Sequence, residues 1–131
     1  ILALRSGFGH VKGIELSEKL LNISQNNLAK LYQAESYTLH VDNFLNYVPE
    51  IEDCVFYFYD PCETELVKEV IDKIDISLSQ NDRPVCIIYH HNLLSEATLD
   101  SFQFENLKFF KKISCFGKSL YMYANYSLEG N

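Results

Sequence analysis

The chain has 131 residues, 47% of them hydrophobic, with a formal net charge of -7 and an isoelectric point near 5.0. That is enough apolar material to give one globular domain a core. The acidity, with lysines and arginines scattered, speaks against a nucleic-acid duplex as partner, and no apolar run reaches the roughly 18 residues of a membrane span.

The chain opens on Ile1-Leu2-Ala3-Leu4 with no polar lead-in, so it reads as cut from inside a longer protein. Residues 1–5 suit a helix, which Ser6-Gly7-Phe8-Gly9 breaks. His10 to Leu16 alternates and ends near an acid, the pattern of a strand. Ser17 is a good N-cap, with Glu18 in the first turn of the helix that follows. Leu20, Leu21, Leu28, Leu31 and Tyr32 share one face of that helix, which is expected to end near Gln33. Tyr37–Val41 is a second strand by β-branching and alternation. Asp42-Asn43-Phe44 follows its end, and residues 46–50 read as a loop because Pro49 disfavours helix before it.

Val55-Phe56-Tyr57-Phe58-Tyr59 is apolar at every position and ends on Asp60-Pro61. Such a strand wants cover on both faces, as central strands of parallel sheets have. A long helix follows: Leu66, Val67, Val70, Ile71, Ile74 and Leu78 share one face and Glu65, Lys68, Glu69, Asp72 and Lys73 another, with Glu69 and Lys73 in the favourable i,i+4 order. Residues 84–89 form another apolar strand, ending in His90-His91-Asn92, and a short helix is expected over 93–102. Residues 107–116 and 119–126 read as two strands whose short connection makes them antiparallel. Lys111-Lys112 reads as a solvated strand edge. The alternation of strands and helices predicts an α/β domain with a mostly parallel sheet and a C-terminal antiparallel hairpin. Cys54, Cys62, Cys86 and Cys115 are far apart; Cys54 and Cys86 lie in strand-like runs, where a buried free thiol is usual, which favours a reducing, cytoplasmic setting.

In parallel sheets ligands bind beyond the carboxyl ends of the strands, where this chain places acids. Glu15 can accept from two ribose hydroxyls of a nucleotide-type cofactor; equally, it can cap the next helix. Asp42 can accept from the exocyclic amine of a base and Asn43 can pair with a ring nitrogen, but Asp-Asn is also common turn chemistry. Asp60, Pro61 and Glu63 stand where N-cap, N1 and N3 of a helix would, or else Asp60 orients a nucleophile at the cleft. His90-His91 suits a polar contact to substrate better than a metal, because further ligands at metal spacing are missing. Neither Cys62 nor Cys86 carries a local signature of a Cys-His nucleophile.

Gly13-Ile14-Glu15-Leu16-Ser17, then a helix, Val41-Asp42-Asn43-Phe44, Val55 to Pro61 and Pro84 to Tyr89 together resemble a class I S-adenosylmethionine-dependent methyltransferase. More narrowly, they resemble bacterial methyltransferase-like proteins with a Tyr-Phe-Tyr-(Asn/Asp)-Pro segment. The resemblance covers nearly the whole chain. It implies a Rossmann-like three-layer sandwich with S-adenosylmethionine as cofactor. Glu15 and Leu16 would meet the ribose, Asp42, Asn43 and Phe44 the adenine, and Asp60 and Pro61 the methyl-bearing end, with Asp60 the candidate catalytic residue. The methyl acceptor stays unnamed, and Cys62 replaces a second proline that many amino-group methyltransferases carry.

The family's glycine-rich loop after the first strand is missing, since only His10 to Ile14 separate Gly9 from Glu15. The first strand and loop are therefore expected upstream of Ile1. The strands around 10–16 and 55–59 would then each keep an open edge. A nicotinamide-dependent Rossmann oxidoreductase is the alternative, since Glu15 suits a ribose there too; a non-catalytic remnant kept as an interaction module is another.

Overall fold

The computed structural model describes residues 1–59, 63–91, 101–115 and 118–128. They fall into two compact units, Ile1–Tyr47 and Val48–Asn131.

The first unit starts with α1 (Leu2–Arg5), closed by backbone bonds from Ser6 and Phe8. Gly7 takes φ 91°, a left-handed conformation that side chains resist, so the glycine turns the chain out of the helix. β1 (Val11–Glu15) and β2 (Tyr37–Val41) pair in parallel, from Val11 opposite Tyr37 to Glu15 opposite Val41. Their crossover is α2 (Glu18–Ala29) and a 3-10 turn at Ala34–Ser36. Ser17 caps α2 as expected, its Oγ accepting from Leu20 N–H at 3.4 Å. His10 fixes the start of the pair: its Nδ1 stands 2.9 Å from the Glu35 carbonyl and its Nε2 2.9 Å from Thr38 Oγ1. Gly13 lies opposite Leu39, where an added Cβ would stand 2.7 Å from Leu39 Cδ2.

The expected apolar stripe on α2 is narrower than its sequence suggests. Leu21 and Leu28 are buried, but Leu20 and Leu31 are 52% and 60% exposed. The helix stops at Ala29, so Leu31 lies beyond it, and a two-stranded sheet is too narrow to cover a wide stripe.

The second unit is a four-stranded sheet in the order β3 (Val55–Tyr59), β4 (Cys86–His91), β6 (Lys118–Ala124), β5 (Phe109–Cys115), with α3 (Thr64–Gln80) between β3 and β4. β3 and β4 are parallel; β4–β6 and β6–β5 are antiparallel, the hairpin that the short connection predicted. Val67, Ile71 and Ile74 of α3 are 0% exposed, and Val85, Ile87, Tyr89, Tyr121 and Tyr123 complete the core. Phe104 stands edge-on to Tyr123 at 5.2 Å, and Lys68 Nζ lies 5.6 Å over the Phe104 ring while pairing with Asp72 at 2.7 Å.

Polar clamps close this core. The buried carboxylate of Asp75 on α3 accepts from three successive backbone N–H groups: Glu105 on Oδ2 at 3.0 Å, Asn106 and Leu107 on Oδ1 at 2.9 Å each. Asn106 Nδ2 returns a bond to the Asp75 carbonyl. Across the sheet, Asn125 Oδ1 accepts from Val85 N–H at 2.8 Å and its Nδ2 donates to the Arg83 carbonyl at 2.7 Å. That locks the end of β6 to the approach of β4.

Three expectations change. β3 is not covered on both faces: Tyr57 and Tyr59 are 58% and 56% exposed, alternating with half-buried Phe56 and Phe58. The open edges expected of the strands around 10–16 and 55–59 are found: among the described residues β1 pairs with β2 alone and β3 with β4 alone. The helix after Pro61 starts later than a cap at Asp60 requires. Its N-cap is Glu63, which makes no side-chain cap bond, since a glutamate is one methylene too long to fold back as aspartate does. Cys86 is buried, but Cys54 is exposed because it precedes β3 rather than lying within it. The expected helix over 93–102 falls largely on residues 92–100, outside the described residues.

Burial pushes the Cys86 thiol up, and a hydrogen bond with Tyr126 only partly opposes this. Since the thiolate is the nucleophile, iodoacetamide at neutral pH is expected to alkylate Cys54 and leave Cys86 unmodified until the chain unfolds. Peptide mass spectrometry over a labelling time course checks this; equal rates at both cysteines would contradict it. No helix among the described residues is long and apolar enough to cross a membrane.

Candidate cofactor site

The first unit gathers five of the residues singled out from sequence at one place, the carboxyl end of the β1–β2 pair. Glu15 is the last residue of β1 and is half-buried. Its carbonyl accepts from Asp42 N–H at 3.2 Å, so the ladder carries β2 one residue past β1 and sets Asp42 at the rim. Glu15 Oε1 accepts from Ser17 N–H at 2.8 Å, which holds the side chain back toward the start of α2. The helix-cap role read as the alternative for Glu15 is thus realised by one oxygen. Oε2 makes no bond among the described residues. Leu16 projects into solvent at 75% exposure, next to this carboxylate.

Asp42 and Asn43 form a compact turn. Asp42 Oδ1 accepts from Asn43 N–H at 2.7 Å and from Asn46 Nδ2 at 2.9 Å. Asn43 Oδ1 accepts from Leu45 N–H at 3.0 Å and so caps a 3-10 turn, Phe44–Asn46. Here too the local turn chemistry uses one carboxylate oxygen, and Oδ2 makes no bond among the described residues. Phe44 is half-buried beside it. In the sequence Asn46 belongs to a loop before Pro49. Its role in fixing Asp42 was recoverable from the spacing, since an amide four residues after an acid can reach it within one turn.

The arrangement can receive two donors. Each carboxylate has one oxygen pinned by its own backbone, which fixes its direction, and one oxygen for a ligand. A polar molecule with donors at both ends, such as a nucleoside, suits that pair. Asp60, Pro61 and Cys62 lie outside the described residues. Among the described residues no group of three His, Cys, Asp or Glu could hold a metal ion.

In the second unit, Tyr89 is fully buried in the core, whereas His90 at the carboxyl end of β4 is partly exposed. Its Nδ1 stands 3.2 Å from the Tyr57 hydroxyl, and its ring meets Tyr59 edge-on at 4.9 Å. In the sequence Tyr57 and Tyr59 belong to an all-apolar run, and their alternation with Phe56 and Phe58 carries no polar signal to separate the faces.

No protein-family model and no curated protein sequence matches the chain. Solved structures do resemble it. The proposed methylase HI0767 of Haemophilus influenzae is 18% identical, with a TM-score of 0.70 over 96% of this chain and 78% of that one. The proposed methyltransferase yhhF of Escherichia coli is 15% identical, with a TM-score of 0.60 over 88% of this chain and 62% of that one. A proposed rRNA methylase of Clostridium thermocellum is 13% identical, with a TM-score of 0.64 over 87% of this chain and 71% of that one. The mixed α/β architecture of the chain is accordingly a Rossmann-like fold of the methyltransferase type.

Proposed function

We propose that the chain is a domain for S-adenosylmethionine-dependent methyl transfer, completed by a first strand and glycine-rich loop outside the 131 residues. The observation that supports it best is the pair Glu15 and Asp42, set at one end of adjacent parallel strands with one oxygen each left for a ligand. In this reading Glu15 Oε2 accepts from the ribose hydroxyls and Leu16 lies along the sugar. Asp42 Oδ2 accepts from the adenine amine, with Asn43 beside the ring nitrogens and Phe44 flanking the ring. Asp60 and Pro61 follow β3 and would border the methyl-bearing end.

The cofactor would bring an already activated sulfonium methyl. The work left to this chain is to align donor and acceptor and to exclude water, which needs little acid-base help. Asp60 is then a positioning carboxylate for an acceptor whose identity stays open. Among the described residues β1 pairs with β2 alone and β3 with β4 alone.

Titration calorimetry on the 131-residue chain is expected to give no micromolar binding of S-adenosylmethionine; a micromolar constant would overturn the proposed need for the loop. On the longer protein, S-adenosylhomocysteine is expected to raise the melting temperature and NAD to leave it unchanged. Stabilisation by NAD alone would favour the oxidoreductase reading instead.

A further inference from the structure

Outside the nucleoside site, one cluster of polar and aromatic side chains stands in the open. Tyr57 and Tyr59 alternate along β3, so their rings rise from the same face of the sheet about 7 Å apart. Both are more than half exposed, which is unusual for rings on a strand that pairs with a buried neighbour. His90 is the register partner of Tyr59 on β4 and therefore shares that face. It is held twice: the Tyr57 hydroxyl lies 3.2 Å from its Nδ1, and its ring is nearly perpendicular to Tyr59, at 86° and 4.9 Å. The three side chains are thus a fixed group rather than three independent surface residues.

The chemistry of the group is narrow. It contains no carboxylate, and the described residues hold no metal-binding group of three. Burial pushes the Tyr57 hydroxyl above its usual range, and neighbouring Tyr59 adds to the shift, so the phenol stays protonated. A protonated phenol can donate to Nδ1 of a neutral imidazole. In that arrangement the imidazole proton would sit on Nε2 and leave one N–H donor beside the tyrosine rings. The group also stands at the carboxyl end of parallel strands β3 and β4, the end at which open α/β sheets take ligands.

We propose that Tyr57, Tyr59 and His90 form a binding subsite for a neutral, planar nitrogen heteroaromatic ring. The ring stacks on Tyr59 and accepts a hydrogen bond from His90 at one of its ring nitrogens. Stacking on an exposed aromatic is tolerant of the ring's identity, and the acceptor nitrogen adds selectivity over a plain hydrocarbon ring. Tyr57 is a positioning residue: it sets the tautomer of His90 and does not itself touch the ligand. None of the subsite's residues is one assigned above to the ribose or the adenine: Glu15, Leu16, Asp42, Asn43 and Phe44 all lie in Ile1–Tyr47.

The test is an NMR titration of the full 131-residue chain with adenosine to millimolar concentration, following the His90 imidazole and the Tyr57 and Tyr59 rings. Toluene serves as a ring without nitrogen. Adenosine is expected to shift all three residues, and toluene to shift the tyrosines without moving His90. Tyr59→Ala, at an exposed position, is expected to weaken the adenosine response at His90 at least tenfold. Tyr57→Phe keeps a ring but removes the hydroxyl, and is expected to weaken it several-fold and to change the nitrogen shifts that report the tautomer. Asp42→Ala separates the two sites: it is expected to remove shifts around residues 15 and 42 and to leave those at His90. If His90 does not move, or moves equally in folded Tyr59→Ala, the proposal is overturned. A response at His90 that disappears in Asp42→Ala overturns it as well.

Discussion

Replacing Asp75 by alanine is expected to lower the unfolding free energy by about 4 kcal/mol, enough to unfold a marginal domain. The carboxylate is 7% exposed and accepts from three consecutive N–H groups, those of Glu105, Asn106 and Leu107. Without it these donors lose their partner where water enters poorly, and a bond to a charged acceptor contributes more than a neutral one. The loss also releases the segment that carries Phe104 against Tyr123. Asp75→Asn is the informative control. An amide oxygen at the Oδ1 place can keep Asn106 and Leu107, but its NH2 group would face Glu105 N–H, donor against donor. About half the effect should remain. Urea unfolding of the three proteins measures this, and equal stability of wild type and Asp75→Ala would show that the clamp contributes nothing.

Glu15→Gln is expected to cost about a hundredfold in affinity for S-adenosylhomocysteine in the longer protein proposed above. A hydrogen bond to a charged acceptor contributes about 1.5–3 kcal/mol and each 1.4 kcal/mol is tenfold, so weakening two ribose bonds reaches that scale. The glutamine oxygen would still have to serve Ser17 N–H, the role that Oε1 has now. It would leave an amide NH2 facing hydroxyls that need an acceptor. Because the Ser17 contact can survive, stability should change by less than about 1 kcal/mol. Calorimetric titration and a melting curve on the same sample separate the two effects. Unchanged affinity would remove Glu15 from the ribose; a large loss of stability would return it to a purely structural role at the start of α2.

Sequence pattern located the strands well where it was strong and local. The limits of β2 and β3 coincide with the β-branched and aromatic runs Tyr37–Val41 and Val55–Tyr59. The helical period placed the buried face of α3 because five of its apolar positions repeat over about three turns against one sheet face. Misreadings arose where two local rules competed. Pro61 and Glu63 suggested an early start to α3, but the chain enters the helix at Thr64. Leu31 matched the stripe of α2, yet it lies beyond the helix. The exposure of one face of β3 was not legible, because an all-apolar strand looks the same whether one face or both are covered. At the candidate site the acids were visible as strand-end residues. The division of each carboxylate into a pinned and a free oxygen depended on backbone geometry that spacing alone does not give.

The two edges of the four-stranded sheet have opposite prospects in a concentrated solution. β5 carries Lys111 and Lys112, whose charges discourage another chain from adding alongside. β3 has no charge, no proline and no glycine in Val-Phe-Tyr-Phe-Tyr, and its outer row of amide and carbonyl groups faces no strand among the described residues. Short uncharged segments of this composition are the ones that stack into cross-β assemblies. In the 131 residues taken alone, β3 rather than the guarded hairpin is therefore the edge at which a second copy is expected to add.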